Sequence, residues 1–221
     1  MSVGFYRCIK NREMSRFSKF SKRIIEKHKD TDVIYNPNRG RCITKINLYD
    51  TLVIIAHGGS DVIYHKYDHK NYSHQPLINK DSIQLLRGKK VIALSCLTAR
   101  ELGPYACETG GCKVYLGFYN KIHFDKKDRS ATIEYRKFIK ECYKEAFKNV
   151  IDRAIENNWD FSKISVVLEI ELKKTVMKRV ENIRQYRMKF YEKHDLDKAI
   201  FAVTNVASNI RIFGDSKEKI S

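Results

Sequence analysis

The chain has 221 residues, of which 43% are hydrophobic, and it carries a formal net charge of +17. This hydrophobic share excludes a disordered chain, and the length suffices for the core of one domain over residues 1–221. No apolar run approaches the roughly 18 residues of a membrane span. The basic residues are spread from Lys10 to Lys219. They are either solvated helix faces or a basic surface for nucleic acid or another acidic partner.

The amino terminus and the cysteines indicate a cellular compartment. The segment Met1–Arg7 lacks the apolar stretch of a secretion signal. The six cysteines have no spacing typical of a small disulfide scaffold, so we expect them to be reduced thiols. Together these features predict a cytoplasmic protein.

The first third of the chain alternates strand-like and helix-like segments. Val3–Ile9 predicts a first strand, and Arg12–His28 predicts an amphipathic helix because its apolar residues recur at helical spacing. Asp32–Tyr35 predicts a short strand that ends at the turn residues Asn36–Gly40. This alternation favours an α/β fold.

Two apolar runs carry the reactive side chains of the sequence. Leu52–Ala56 is followed at once by His57, and Val91–Ser95 is followed at once by Cys96. Continuous runs rich in Val and Ile predict buried strands of a parallel sheet. Functional groups of such sheets lie beyond the carboxyl ends of the strands. We therefore expect His57 and Cys96 to meet on neighbouring strands as a base and a nucleophile.

The segment between the two runs predicts smaller elements. Asp61–His65 predicts a short hairpin arm beside the site, and Asn79–Leu86 a short crossover helix that leads into the second run. Three histidines, His65, His69 and His74, match no common zinc spacing. We therefore expect no metal, and the chemistry of a Cys–His pair requires no cofactor.

The last part of the chain is dominated by helical periodicity. Apolar residues three or four apart predict a long helix from Asp128 to about Asn157, and a second from about Ser162 to His194. This pair, residues 128–194, either covers the sheet or projects as an arm. Ala199–Val206 and Ile210–Phe213 are expected to return to the sheet. Only Asp215–Ser221 is expected to form a disordered tail.

The motifs resemble those of the caspase-like clan of cysteine peptidases. The segment Ile54–Gly59 resembles the clan's strand ending in His-Gly, and Ile92–Cys96 resembles its strand ending in Cys. Lys113–Phe118 and Ile210–Asp215 look like the clan's next and last strands. The closest resemblance is to CHAT peptidases. The caspase pentapeptide around the nucleophile is absent, so a preference for Asp is not implied.

The resemblance implies a fold and a reaction. The fold is a mainly parallel sheet flanked by helices, and the helical periodicity of residues 128–194 adds a long helical pair before the last strand. The reaction is peptide-bond cleavage in a protein substrate by a dyad of His57 and Cys96. Backbone amides of Cys96 and of Gly58 or Gly59 are expected to hold the oxyanion.

Substrate preference and partners are further expectations. Asp61 and Asp125 are candidates for a pocket that accepts a basic residue, or they are ordinary loop acids. The resemblance implies a regulated pathway of microbial stress or antiviral defence, with a regulatory protein docked on the 128–194 helices. The alternative is a caspase-like binding module without catalysis, whose basic surface holds nucleic acid or another acidic partner.

Overall fold

The computed structural model describes residues 2–8, 10–68, 73–122, 133–185 and 193–221. The strands in this part of the chain are β1 (Val3–Arg7), β2 (Thr31–Ile34), β3 (Thr51–Ile55), β4 (Val62–Tyr67), β5 (His74–Asn79), β6 (Lys90–Leu94), β7 (Val114–Phe118) and β8 (Ile210–Gly214). The α-helices are α1 (Arg12–Phe17), α2 (Ser21–Lys27), α3 (Arg39–Ile46), α4 (Leu102–Glu108), α5 (Ile133–Glu156), α6 (Phe161–Gln185) and α7 (Lys193–Ala207). Single 3₁₀ segments cover Ser18–Phe20 and Lys80–Leu86.

Six strands form one sheet in the order β2-β1-β3-β6-β7-β8. All neighbouring pairs are parallel except the last, in which β8 runs antiparallel to β7. Every residue of β1, β3, β6 and β7 is buried, as expected where helices cover both faces of a parallel sheet. The prediction of an α/β fold with a mainly parallel sheet is confirmed. The predicted hairpin arm is also present, as the antiparallel pair β4-β5.

The two faces of the sheet carry different layers of helices. On one face the Phe118 ring lies 5.9 Å from that of Phe147 in α5, and Phe147 lies 6.3 Å from Phe17 in α1. On the other face Gly103 of α4 packs closely against Tyr115. Because side chains alternate along a strand, the α1–α5 face and the α4 face are distinct layers around one core.

The structure corrects the prediction for the segment before the last strand. Ala199–Val206 lies in helix α7 and not in a strand, so three helices rather than a pair precede β8. Its apolar composition suggests a strand, but the buried residues Ala199, Val203 and Val206 recur at three and four residues, which is the helical period. The second long helix is described as far as Gln185, and its predicted continuation towards His194 falls on residues 186–192, which lie outside the described residues.

The long helices form a covering layer on the sheet. The buried side of α6 carries Ile164, Leu168, Leu172 and Val176, which belong to the same core as the strands. Of the two arrangements left open by the sequence, the covering layer is the observed one. None of the described helices combines the length and the apolar character needed to cross a membrane.

The final residues pack against the amino-terminal edge of the sheet. The Ile220 side chain is fully buried, and its carbonyl accepts a 2.7 Å hydrogen bond from the Thr51 hydroxyl at the start of β3. The Ile220 amide donates to the Trp159 carbonyl between α5 and α6. The expectation of a disordered tail over 215–221 is therefore wrong, because one apolar side chain and several backbone hydrogen bonds anchor it.

Candidate functional site

The strands that precede His57 and Cys96 are direct neighbours. Their parallel register pairs Ile55 of β3 with Leu94 of β6. His57 lies two residues beyond the end of β3 and Cys96 two residues beyond the end of β6, so both follow the carboxyl ends of neighbouring strands. The sequence expectation that these residues lie at the carboxyl ends of adjacent strands agrees with this register.

Gly58 keeps the two strand ends in contact beyond the last paired residues. A side-chain carbon at this position would lie 2.6 Å from the Cys96 carbonyl oxygen and 3.0 Å from the Ser95 Cβ. Neither distance is compatible with van der Waals contact, so glycine is required by the close approach. At Gly59 the nearest atom would be a Val62 methyl group at 3.1 Å. The two glycines therefore differ in role, although they are adjacent in sequence.

The hairpin fixes the backbone that carries His57. The Tyr64 amide donates a 2.9 Å hydrogen bond to the His57 carbonyl, and the Gly59 amide donates a 2.8 Å bond to the Val62 carbonyl. The ring of Tyr67 lies 4.8 Å from the His57 ring, centroid to centroid. Beyond Tyr67, the ring of His74 is stacked at 4.5 Å. Backbone bonds and aromatic contacts thus orient His57 from the side of the hairpin.

Cys96 begins a sharply bent turn. Its thiol lies 3.6 Å from the Ile122 carbonyl oxygen, to which it donates. The next residue, Leu97, has a φ of 64°, a left-handed conformation that costs a non-glycine residue on the order of 1–2 kcal/mol. The Leu97 amide donates to the Asn120 carbonyl. The turn therefore ends β6 abruptly and leaves Cys96 half-buried at the edge.

The environments of the six cysteines separate Cys96 from most of the others. Cys8, Cys42, Cys112 and Cys142 are buried, whereas Cys96 and Cys107 are half-buried. Burial raises the pKa of Cys8 to about 11 and that of Cys142 to about 12, so these two thiols stay protonated at neutral pH. Since the thiolate is the reactive form and needs access to substrate, Cys96 and Cys107 are the accessible candidates. Of these two, only Cys96 follows the strand beside His57.

The two acids predicted to form a substrate pocket are Asp61 and Asp125. Asp61 is exposed at the start of the hairpin, with a carboxylate oxygen 3.9 Å from the position of a Gly59 Cβ. Asp125 lies outside the described residues, so the pocket expected between these two acids stays a prediction.

Two of the three histidines considered for metal binding, His65 and His74, lie in the described residues. The ring of His65 is buried and hydrogen-bonded to the Tyr6 hydroxyl at 2.8 Å and to the Pro37 carbonyl at 3.1 Å. His69 lies outside the described residues. Within the described ranges, no three His, Cys, Asp or Glu side chains converge as a metal site would require.

No family model matches this chain, and no curated protein matches it. The resemblance to caspase-like peptidases therefore stays a prediction from the sequence motifs.

Several features of the site escape sequence reasoning. The strained conformation of Leu97 carries no sequence signal, because Leu is unusual in the left-handed region. The contact of Tyr67 with His57 joins residues on different elements. The space for a side chain differs between Gly58 and Gly59 because the strand end at Ser95 and Cys96 lies against Gly58. Only the Gly-Gly pair itself could have indicated a close backbone approach.

Proposed function

We propose that this protein is a cysteine endopeptidase of the caspase-like type, with Cys96 as nucleophile and His57 as acid and base. The observation that carries the proposal is the pairing of Ile55 with Leu94, because His57 and Cys96 each follow two residues after these partners. The close approach of Gly58 to the Cys96 carbonyl supports it, because a short separation of the strand ends favours a dyad. The accessibility of Cys96 is a further support.

The proposed reaction is acyl transfer through a thioester. The Cys96 thiolate attacks the scissile carbonyl carbon, and the C–N bond breaks as His57 donates a proton to the departing amine. His57 then takes a proton from water, whose oxygen attacks the thioester and releases the new carboxylate and the thiol. Electrons and protons balance without a metal or a cofactor.

The Cys96 and Gly58 amides are the proposed oxyanion donors. The Gly59 amide is committed to the Val62 carbonyl at 2.8 Å, so the proposal assigns the second donor to Gly58. Asp61, exposed beside this turn, is the proposed contact for a basic residue of the substrate. A regulatory protein would dock on the outer side of α6, where Val166, Ile170 and Met177 are about half exposed.

A cleavage assay with matched cysteine variants tests the proposal. The substrates are a set of fluorogenic peptides that presents every residue type before the scissile bond. We expect Cys96→Ala and His57→Ala each to reduce cleavage by about 1000-fold or more, because residues of one catalytic unit fail together. Cys107→Ala, which removes the other half-buried thiol, should stay within about twofold of wild type.

Alkylation of the thiols separates a peptidase from a binding module. Iodoacetamide should label Cys96 of the wild type faster than Cys107, and His57→Ala should slow the labelling of Cys96 alone. Near-wild-type cleavage by Cys96→Ala would refute the nucleophile. Absence of cleavage by the wild type, with equal labelling of the two thiols, would favour the non-catalytic alternative.

A further inference from the structure

A basic groove runs between the first helices of the chain and helix α5. It consists of two cavities of about 880 and 400 Å³ that share Glu141 and Lys144 in their walls. One wall comes from α1, the 3₁₀ turn and α2, and the other comes mainly from α5 with Arg179 of α6. We refer to these two joined cavities as the α1–α5 groove.

The charges of the α1–α5 groove are strongly unbalanced. Ten basic and three acidic side chains line it. Each acid is paired with one of the basic residues: Glu13 with Lys140, Glu141 with Lys144, and Glu145 with Arg179. Seven basic side chains remain without an acidic partner among the described residues, and they come from both walls: Arg12, Arg16, Lys19, Arg23, Arg136, Lys137 and Lys148. Such an excess of one sign in a groove concentrates anions.

The spacing of the charges suits an extended polyanion. Arg136, Lys140, Lys144 and Lys148 recur every four residues and so line one side of α5; Lys140 and Lys144 are ion-paired, and Arg136 and Lys148 at the two ends of the row are not. They span twelve residues, or about 18 Å of helix. A small anion would need only a few of these charges, whereas a phosphate backbone would engage the whole length.

The lining of the groove favours a nucleic acid over an acidic protein. Protein interfaces bury an apolar centre, but the two apolar lining residues, Phe17 and Phe20, are only 2% and 8% exposed. Nucleic-acid interfaces are more polar and much more positive. The same buried rings offer no platform for stacking unpaired bases, on which single-strand binding depends. A duplex, whose bases are stacked inside and whose outer strands carry the phosphates, fits this lining best.

We propose that the α1–α5 groove binds the phosphate backbone of double-stranded nucleic acid without reading its sequence. The groove does not include His57 or Cys96, so this binding is independent of the proposed peptidase activity. It does begin beside the candidate site. Asn11, which caps α1, donates a hydrogen bond of 3.5 Å to the carbonyl of Tyr67, whose ring contacts His57.

Matched charge variants of the full chain test this proposal. The groove variant Arg12→Gln/Arg16→Gln/Lys137→Gln removes three unpaired groove charges and leaves the three ion pairs intact. The control Lys113→Gln/Lys174→Gln/Lys217→Gln removes three exposed charges elsewhere, so both proteins have the same net charge. The probe is a DNA duplex of about 20 base pairs, longer than the groove, titrated over a range of salt concentrations.

The groove variant should bind the duplex about tenfold or more weakly, with a salt slope reduced by about 3, since each phosphate contact contributes about 0.9. The control should keep most of the wild-type affinity for the duplex and most of its salt slope. Equal losses of duplex affinity in the two variants would show that the groove is not the binding site. Tighter binding of the matching single strand than of the duplex would overturn the duplex assignment, and equal binding of polyglutamate would overturn nucleic-acid binding.

Lysine acetylation of the wild-type protein provides a readout that needs no variant. The duplex should protect Lys137 and Lys148 of the groove, but not Lys174 and Lys217 outside it. Equal protection at all four positions would contradict the proposal even if the groove variant failed to fold.

Discussion

The two edges of the parallel sheet are built from the same strands but differ in how far other residues cover them. At the amino-terminal edge, the tail residue Ile220 is buried, and the Lys90 ammonium donates a 2.5 Å hydrogen bond to the Lys219 carbonyl. At the carboxyl-terminal edge, His57 and Cys96 remain half-buried. The amino-terminal edge is therefore closed by hydrogen bonds and packing, whereas the carboxyl-terminal edge leaves His57 and Cys96 partly exposed, with the His57 Nε2 atom itself buried.

The backbone shows the same difference. In the described residues, two non-glycine positions have positive φ: Asn158, which follows α5, and Leu97, which follows Cys96. Asn tolerates this conformation, whereas Leu does not. The amino-terminal edge thus places a suitable residue in its turn, and the carboxyl-terminal edge retains strain. Strained backbone tends to occur at functional sites, and this supports the assignment of function to the Cys96 edge.

The largest expected effect on stability comes from opening the closed edge. Ile220→Ala should lower the free energy of unfolding by about 2–5 kcal/mol, because it leaves a cavity at a fully buried position. Lys217→Ala, at an exposed neighbour, should change it by less than about 0.5 kcal/mol. Urea titrations measure both. Equal midpoints for Ile220→Ala and wild type would show that the tail does not contribute to this edge.

A smaller effect is expected at the open edge, from the two adjacent glycines. Gly58→Ala would bring a methyl group to 2.6 Å from the Cys96 carbonyl, so the strand ends must separate, at a cost of about 1–3 kcal/mol. The rate of peptide cleavage should fall together with the stability of this variant. In Gly59→Ala the closest atom to the new methyl group is a Val62 methyl at 3.1 Å, so this variant should be milder in both stability and cleavage. The reverse order of the two variants would contradict the close approach at Gly58.

The smallest effect concerns an ion pair between α2 and α5 near the closed edge. Burial opposes the charge of Asp152, but hydrogen bonds from His28 and Lys27 outweigh it and lower the pKa of this carboxyl below its usual 3.8. A lowered pKa stabilises the fold above that value, and the benefit is lost as pH falls through the folded-state pKa. Asp152→Asn should therefore cost about 1 kcal/mol at neutral pH.

Thermal unfolding of Asp152→Asn and wild type from pH 7 to pH 3 measures this effect. The gap between their melting temperatures should narrow at the acidic end, as Asp152 takes up its proton. Asp160→Asn is a suitable comparison, since its ion pair with Lys219 is longer, at 3.7 Å. A gap for Asp152→Asn that widens towards pH 3 would contradict the direction of the pKa shift.

The sequence by itself determined the central strands and the position of the reactive pair. Leu52–Ala56 and Val91–Ser95 are continuous apolar runs of strand length, so their burial in a parallel sheet follows from composition alone. His57 and Cys96 follow these runs directly. Once the runs are neighbours, the register brings both residues to one edge. The residue types and the lengths of these two segments were sufficient to predict this part of the fold.

The tertiary structure alone decided the features that depend on a second segment. Ala199–Val206 has a composition suited to a strand, yet it folds as a helix because its buried side is completed by α5 and α6. The tail at Ile220 is ordered because Thr51 and Trp159 offer partners from distant parts of the chain.

The α1–α5 groove and the strain at Leu97 likewise arise only after folding. The groove collects basic residues that lie more than 110 positions apart in sequence, such as Arg16 and Lys137. Leu97 takes its left-handed conformation in the turn after β6, where its amide donates to the carbonyl of Asn120 from a distant segment. Sequence patterns report the neighbours of a residue along the chain. Charge complementarity, close approach and strain depend on neighbours in space, which only the packed structure provides.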